Sequence, residues 1–550
     1  MKPTELFHAS SVMALGTILS RITGFIRGIL AVAVLGTALL ADTYNVANTL
    51  PFILYNLLVG GALTAIFVPQ LVRSFDDEDG GHAFASRLVT SISAILLGLV
   101  VIGTFLAPLL VRIYAPEFTN AGFEREFHLA VAFTRYCLPQ IFFLGLFTMF
   151  GQVANARGSF APLMWAPIAN NLVVIVIFTG VLIQAPHLAS GTITSSQTQI
   201  LGWGTTLGVV IQALILIPVV KRSGIHLRLM FGWQGLGKSF SLAGWTLVYV
   251  LISQLGYLVT VNISTSAAIR SAKEGIKTGV GYTPFSNAYL IMMLPYSIVT
   301  ISIITALLPH MSKLAIEGKR EEVRDQLIKA IKMVGVITIP SSVAFMFFGP
   351  LITKVLYFGI GKDDSTYIGY VLSALGLGLV FFSINLILIR GFNAFEDTRT
   401  QVLSILLINI IAVGLSYLFL ATLKTRWITI GLGGAFSISY IAGLFVTLAL
   451  LKRHTGVIRF GDFAGQHTRL YLSSVLAMAP LYVLSTLLHW VTGDSSKLEH
   501  VGQLLLVMLI SPVAYFMIAR LMKVEEISIA SELVKIQFAR ATGRTRKSNS

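Results

Sequence analysis

Long apolar runs separated by short polar loops recur from one end of the chain to the other. A window of about 20 residues, enough helix to cross a ~30 Å hydrocarbon core, predicts roughly fourteen such spans. They fall near 8–38, 43–73, 86–114, 128–152, 161–184, 199–220, 240–268, 285–311, 330–358, 366–391, 400–422, 428–451, 470–491 and 502–522. Prolines inside them, including Pro51, Pro139, Pro167, Pro295 and Pro340, each remove a rung of the helical hydrogen-bond ladder and mark bends or unwound turns. An even number of crossings puts both termini on one side.

Segments about 240 residues apart share a pattern. LPFILYNLLVGGALTAIFVP (50–69) opens on Leu-Pro and closes on Ala-x-x-x-Pro; LPYSIVTISIITALLP (294–309) opens on Leu-Pro and closes on Ala-Leu-Leu-Pro. Asn155-Ala156 precedes Asn171 as Asn393-Ala394 precedes Asn409. Such duplication predicts an all-α polytopic membrane protein of two pseudo-symmetric six-helix bundles, residues 1–222 and 223–455. Two appended helices (456–523) and a basic tail (524–550) complete the expected layout. Chance similarity among leucine-rich segments is the plain alternative.

Composition agrees with a membrane setting: of 550 residues, 55% are hydrophobic and 12% charged, too apolar for a soluble protein of this size. The net charge of +16 is spread through many short loops and the tail rather than gathered on one face, which argues against a nucleic-acid partner. Counted by loop, roughly 27 of the Lys and Arg residues fall on the side of the termini and about 10 on the other, which predicts cytoplasmic termini. A single cysteine, Cys137, excludes an internal disulfide and any multi-cysteine metal site. The opening MKPTELFHAS is a poor cleavable signal, so the first span is expected to be retained.

Away from the ends of the spans, full charges are few: Arg21, Arg27 and Arg135, with Asp42 at the start of the second span. Each arginine at bilayer depth costs roughly 3 kcal/mol unless an anion, water or protein partner compensates. Arg21 and Arg27 are separated by about 9 Å of helical rise and about 120° of rotation, with Gly24 between them as a candidate hinge. The guanidinium fork matches phosphate or carboxylate oxygens two at a time, so a deep pair points to an anionic substrate. Snorkelling to the surface, or a structural pair with Asp42, is the alternative. Arg135 either lines the same cavity or anchors at the interface. Asn45, Asn48, Asn56, Gln254, Asn262 and Asn287 either line the cavity or stitch helices together. Pro51 and Pro295, at matching repeat positions, read as paired hinges. Metalloprotease, phosphate-loop and nucleophile-elbow motifs are absent, as is any cluster of deep carboxylates; no catalytic, metal or cofactor site is expected.

The stretch SRITGFIRGILAVAVLGTALLADTYNVANTLPFILYNLLVGGALTAIFVP (20–69) resembles the opening of the MurJ (MviN) lipid II flippases, which share a superfamily with MATE antiporters and oligosaccharide-lipid flippases. LPYSIVTISIITALLPHMSK (294–313) and NAFEDTRTQ (393–401) resemble further segments of that family. The resemblance implies transport of undecaprenyl-diphosphate-linked disaccharide-pentapeptide from the inner to the outer leaflet of the bacterial cytoplasmic membrane, for peptidoglycan synthesis. It assigns Arg21 and Arg27 to a cavity that engages the diphosphate and sugars, with Asp42, Asn48 and Tyr55 beside them, and gives the two appended helices a share in a groove for the lipid tail. Departures exist: a family arginine in the second span falls on Tyr55, a glutamate on Gly60, and an eighth-span arginine on Leu290, a pattern closer to the actinobacterial branch. The tail segment VEEISIASELVKIQFAR (524–540) reads as a short amphipathic surface helix.

The expected mechanism is alternating access, driven by a coupling ion or by the membrane potential at ~2.3 kcal/mol per charge per 100 mV. Membrane lipids, and proteins of cell-wall synthesis, are the further partners it suggests. A MATE-like ion-coupled exporter is the first rival, and it calls for deep carboxylates where this chain carries arginines. A membrane enzyme acting on lipid-linked sugars would have to use the FDDED run (75–79), more plainly a solvated loop, and a scaffold recruiting cell-wall synthases is the third possibility.

Overall fold

The computed structural model describes residues 3–57, 71, 74, 79–159, 161–186, 188, 192–232, 240–492 and 496–527, and no strand occurs among them. In chain order the helices begin with α1 (Pro3–Leu35), α2 (Leu39–Tyr55), α3 (His82–Phe105), α4 (Ala107–Tyr114), α5 (Glu124–Cys137), α6 (Gln140–Ala156), α7 (Ala161–Gln184), α8 (Ser195–Leu214) and α9 (Leu216–Arg222). They continue with α10 (Phe240–Lys273), α11 (Tyr282–Pro295), α12 (Ile301–Ile316), α13 (Arg320–Leu356), α14 (Lys362–Ala394), α15 (Thr398–Thr422), α16 (Thr425–Thr455), α17 (Gly461–Thr492) and α18 (Lys497–Leu521).

Thirteen helical stretches among the described residues are long and apolar enough to cross a membrane. The other predicted span, 43–73, coincides with α2, and its second half from residue 58 to 70 lies outside the described residues, as do Gly60, positions 75–78 of the FDDED run, and the tail from 528 onward. Asp79, the last residue of that run, accepts from the N–H groups of Gly81 and Ala83 and so closes the first turn of α3.

Local chemistry sets the boundaries. Gly36 ends α1 in the left-handed region, φ +75°, which a residue with a Cβ rarely adopts. Thr194 with Gln197 and Ser496 with Glu499 form reciprocal capping boxes that start α8 and α18. Pro139 does more than bend the fourth predicted span: it divides it at a joint between α5 and α6. Both repeated Leu-Pro pairs are followed by π-helical turns, at residues 56–57 after Pro51 and at Tyr296–Thr300 after Pro295. A π turn loosens the i→i−4 ladder where proline has already removed a donor.

The chain forms two compact units: Met1–Leu290 with Gly359–Tyr367 and Ile405–Ala435, and Ile291–Phe358 with Ile368–Ser404 and Phe436–Ser550. In the first unit, Val46, Leu50 and Ile53 of α2 pack with Leu88 of α3 and with Ile141 and Met149 of α6. A row of small residues on α1, Gly16, Ser20, Gly24 and Gly28, recurs every fourth position, so it lies along one side of the helix. A Cβ on Gly16 would meet Trp165 of α7 at 2.7 Å, one on Gly24 would meet Asn171 of α7 at 3.4 Å, and one on Gly28 would meet Leu290 of α11 at 3.1 Å.

In the second unit, Leu327, Ile331 and Val334 of α13 pack with Leu388 and Phe392 of α14, Leu451 of α16 and Leu470 of α17. The α13–α14 crossing brings backbone against backbone: a Cβ on Gly369 would fall 2.3 Å from the Pro350 Cα. Hydroxyls tie the same pair of helices in both directions, Ser342 Oγ to Gly376 O at 2.7 Å and Ser373 Oγ to Phe345 O at 2.9 Å. Gly369→Val is therefore expected to destabilise the protein by about 1–3 kcal/mol through overpacking. Thermal unfolding in detergent checks this against Gly414→Val, where the added Cβ meets open space; equal effects of the two substitutions would contradict the crossing geometry.

Candidate functional site

The first unit holds the substrate-binding residues that the sequence nominates, Arg21, Arg27, Asp42, Asn48 and Tyr55, in separate settings. On α1, Asn171 of α7 donates through Nδ2 to Ser20 O at 3.1 Å and to Thr23 Oγ1 at 3.0 Å, while Thr23 Oγ1 donates to Leu19 O. This clamp fixes the turn that carries Arg21 and Gly24, and α1 runs through Gly24 without a break. Arg21 is exposed, as are Ile18, Ile22 and Ile26 around it. Arg27 is half-buried, with its guanidinium beside the Tyr44 hydroxyl and near the Cys137 thiol. Neither arginine forms an ion pair with a carboxylate among the described residues.

Asp42 stands apart from both arginines. It is fully buried, and its carboxylate accepts from Tyr282 N–H at 3.0 Å, from Thr283 N–H at 2.7 Å and from the Thr283 hydroxyl. Those two N–H groups open the first turn of α11, where they lack intrahelical partners and where the helix dipole favours a negative charge. An acid from α2 thus caps α11 across more than two hundred residues of sequence. Gly281 permits the contact: a Cβ there would lie 2.1 Å from Asp42 Oδ2. One turn on, Asn45 Nδ2 donates to Thr283 Oγ1 at 2.9 Å, and the Thr49 and Tyr282 hydroxyls meet at 3.1 Å. On the same loop, Gly279 N–H donates to Asp364 Oδ1 at 2.7 Å.

The other side of α2 faces the rest of its own bundle. Tyr44 bonds to Thr205 of α8 at 2.7 Å and is held edge-on by Phe133 and Phe178. Asn48 accepts weakly from Gln140 at 3.4 Å, and Gln140 also reaches Thr206 at 3.3 Å. Tyr55 bonds to Thr148 of α6. Positions 42, 45 and 49 thus form one polar stripe on α2, and 44, 48 and 55 another.

Of the predicted substrate-binding set, Arg27 and the Tyr44 side of α2 come together, Arg21 stays on the exposed side of α1, and Asp42 belongs to the α2–α11 contact. Asn48 and Tyr55 are half-buried and engaged with α6. Arg135 is exposed on α5. Leu290 packs against α1 at Gly28, next to Arg27 in the chain. Sequence reading missed Tyr282, Thr283, Tyr44 and Thr205, because single hydroxyls carry little signal. One clue was available: Thr283-Pro284 has the form of a helix start, which leaves N–H groups in need of an acceptor.

Comparison with known proteins gives a consistent result. The family described as lipid II flippase MurJ matches residues 31–501. The probable lipid II flippase MurJ of Rhizobium tropici is 27% identical over 509 residues, covering 92% of each chain. The lipid II flippase MurJ of Burkholderia cenocepacia is 27% identical over 499 residues, 88% of this chain and 90% of its own. Among solved structures, lipid II flippase MurJ in an inward closed conformation superposes with a TM-score of 0.71 at 21% identity, over 92% of this chain and 98% of that one. An inward-facing multidrug resistance MATE family transporter gives 0.62 at 15% identity, over 79% and 95%.

Proposed function

Because the chain belongs to the lipid II flippase MurJ family, we propose that it carries lipid II, an undecaprenyl-diphosphate-linked disaccharide-pentapeptide, from the inner to the outer leaflet of the bacterial cytoplasmic membrane by alternating access. The observation that carries this reading, beside the match over residues 31–501, is the half-buried Arg27 guanidinium with no carboxylate partner among the described residues. A permanent positive charge so placed is set to receive a diphosphate, with the Tyr44 hydroxyl beside it as a further hydrogen-bonding group. Arg21, one and two-thirds turns earlier on α1, extends the positive track toward the side from which the headgroup enters.

In this reading both termini are cytoplasmic, so the α1–α2 turn and the loop before α11 lie at the outer surface. The Asp42 contact then acts as an outer latch, closed while the headgroup site faces inward. Two six-helix halves, 1–222 and 223–455, rock about Gly24 and about the π turns after Pro51 and Pro295. Paired polar contacts support the duplication: Gln140 with Thr206 in one half is echoed about 240 residues on by Asn385 with Thr447 at 2.8 Å.

An apolar cavity of about 180 Å³ in the second unit, lined by Met346, Phe347, Leu377, Phe381 and Val475 among others, lies partly against α17, one of the appended helices, and suits a stretch of prenyl tail. The membrane potential assists outward movement of an anion by ~2.3 kcal/mol per charge per 100 mV, so it serves as a driving force with or without a coupling ion. Proteins of cell-wall synthesis are the partners to seek. A MATE-like exporter is not favoured: the family match is to the flippases, and the deep charges on α1 have the wrong sign for a cationic cargo.

Reconstitution separates the two readings. In vesicles holding fluorescent lipid II, the purified full-length chain is expected to expose headgroups on the opposite face faster than protein-free vesicles do. Cation-driven release of a cationic dye without lipid II movement would overturn the proposal.

A further inference from the structure

After α9 the chain leaves the membrane-crossing stretch Ser195–Arg222 and runs back in extended form along α3. Alternate N–H groups of this strap donate to side chains of α3. His226 N–H reaches His82 Nδ1 at 3.0 Å, Arg228 N–H reaches Ser86 Oγ at 3.0 Å, Met230 N–H reaches Thr90 Oγ1 at 3.2 Å and Gly232 N–H reaches Ser91 Oγ at 3.4 Å. The spacing has a simple origin. Four helical residues advance about 6 Å and two extended residues about 6.6 Å, so acceptors at 82, 86 and 90 keep step with donors at 226, 228 and 230. Thr90 and Ser91 also donate back to the carbonyls of Arg228 and Gly232, and the His82 and His226 rings stack 13° from parallel.

This zipper serves a purpose beyond fastening a loop. An extended segment without a strand partner normally keeps its polar backbone in water; here α3 satisfies the inward N–H groups, which lets the strap sit at a low-dielectric boundary. Ile225 is buried and Leu227 packs on the core. Beyond them the strap turns apolar groups outward, with Leu229 90% exposed and Phe231 75%. Arg228 is exposed next to Leu229, Lys221 and Arg222 are exposed at the end of α9 where the strap begins, and none of the three is ion-paired among the described residues. The carboxylate of nearby Asp79 is turned to the start of α3. Large apolar tips beside the first turns of a membrane helix, with one cation next to them and two more where the strap begins, match the boundary between acyl chains and phosphates.

We propose that the strap 225–232 docks on the bilayer surface. Leu229 and Phe231 enter the boundary between headgroups and acyl chains, while Lys221, Arg222 and Arg228 bind the phosphates of anionic phospholipids. The role is independent of the transported lipid.

The buried single cysteine, Cys137, leaves a quiet background for a Met230→Cys reporter that keeps both apolar neighbours. In vesicles of phosphatidylcholine and phosphatidylglycerol, an environment-sensitive fluorophore at this position is expected to be quenched by phospholipid carrying a shallow nitroxide and shielded from iodide. Adding Leu229→Asn and Phe231→Asn should move it into water. Iodide quenching that is the same in both backgrounds would overturn the insertion. Native mass spectrometry of Lys221→Gln, Arg222→Gln and Arg228→Gln, combined stepwise, should show phosphatidylglycerol retention falling about fivefold per charge removed; unchanged retention would overturn the phosphate contacts. Neither readout depends on flipping, so failure here is distinct from failure of the flippase reading.

Discussion

Arg27→Ala is expected to slow lipid II transfer in reconstituted vesicles by at least about 10-fold while the protein stays inserted and folded. The expectation follows from three features of that side chain. It is permanently charged; it is half-buried beside Tyr44; and no carboxylate among the described residues neutralises it. A charge-assisted hydrogen bond to phosphate contributes about 1.5–3 kcal/mol, so losing it slows transfer by roughly 10- to 100-fold, and losing both tines of a bidentate contact slows it further. Arg27→Lys retains the charge without the planar fork and is expected to recover only part of the rate. Folding is expected to survive, because alanine removes a charge from a place that disfavours it. Transfer at the wild-type rate in a well-folded Arg27→Ala sample would remove Arg27 from the substrate path.

Asp42→Ala is the second large effect, and it acts on conformation. The substitution strips the acceptor from two buried N–H groups and a hydroxyl. Each buried donor left unsatisfied costs about 1–3 kcal/mol, so the closed α2–α11 contact loses several kcal/mol relative to an open arrangement in which water reaches the same groups. A shift of that size moves a two-state equilibrium by more than 100-fold. Gly281→Ala reaches the same result by sterics, since its Cβ would collide with the carboxylate. A Val280→Cys reporter is buried in the latched form and should react with a membrane-impermeant thiol reagent much faster in the Asp42→Ala background. Equal labelling rates in the two backgrounds would show that Asp42 does not hold this end shut.

The hydrophobic pattern carried most of the architecture because membrane helices are long, uninterrupted and nearly free of charge. Joints were harder to read. Pro139 was legible as a bend, but its division of one crossing into α5 and α6 depends on the Pro139 backbone at the junction, which the apolar run does not reveal. The repeated Leu-Pro pairs did mark special backbone, since each precedes a π turn.

The site was legible in its charges and obscure in its neutral groups. Arg21 and Arg27 were visible because guanidinium groups are so costly at that depth. Asp42 was visible for the same reason, yet its partner was not: its charge rests on the free N–H groups of α11, which have no signature beyond the Thr283-Pro284 start. Hydroxyl pairs such as Tyr44 with Thr205 and Tyr55 with Thr148 stayed hidden, since threonine and tyrosine occur throughout membrane helices and one sequence does not say which of them meet.

The most direct test of the account is made in the living cell: deplete the protein in its host and determine in which leaflet lipid II accumulates. Accumulation in the inner leaflet, relieved by the wild-type chain but not by Arg27→Ala, is the predicted result. An unchanged distribution of lipid II between the leaflets during depletion would contradict it.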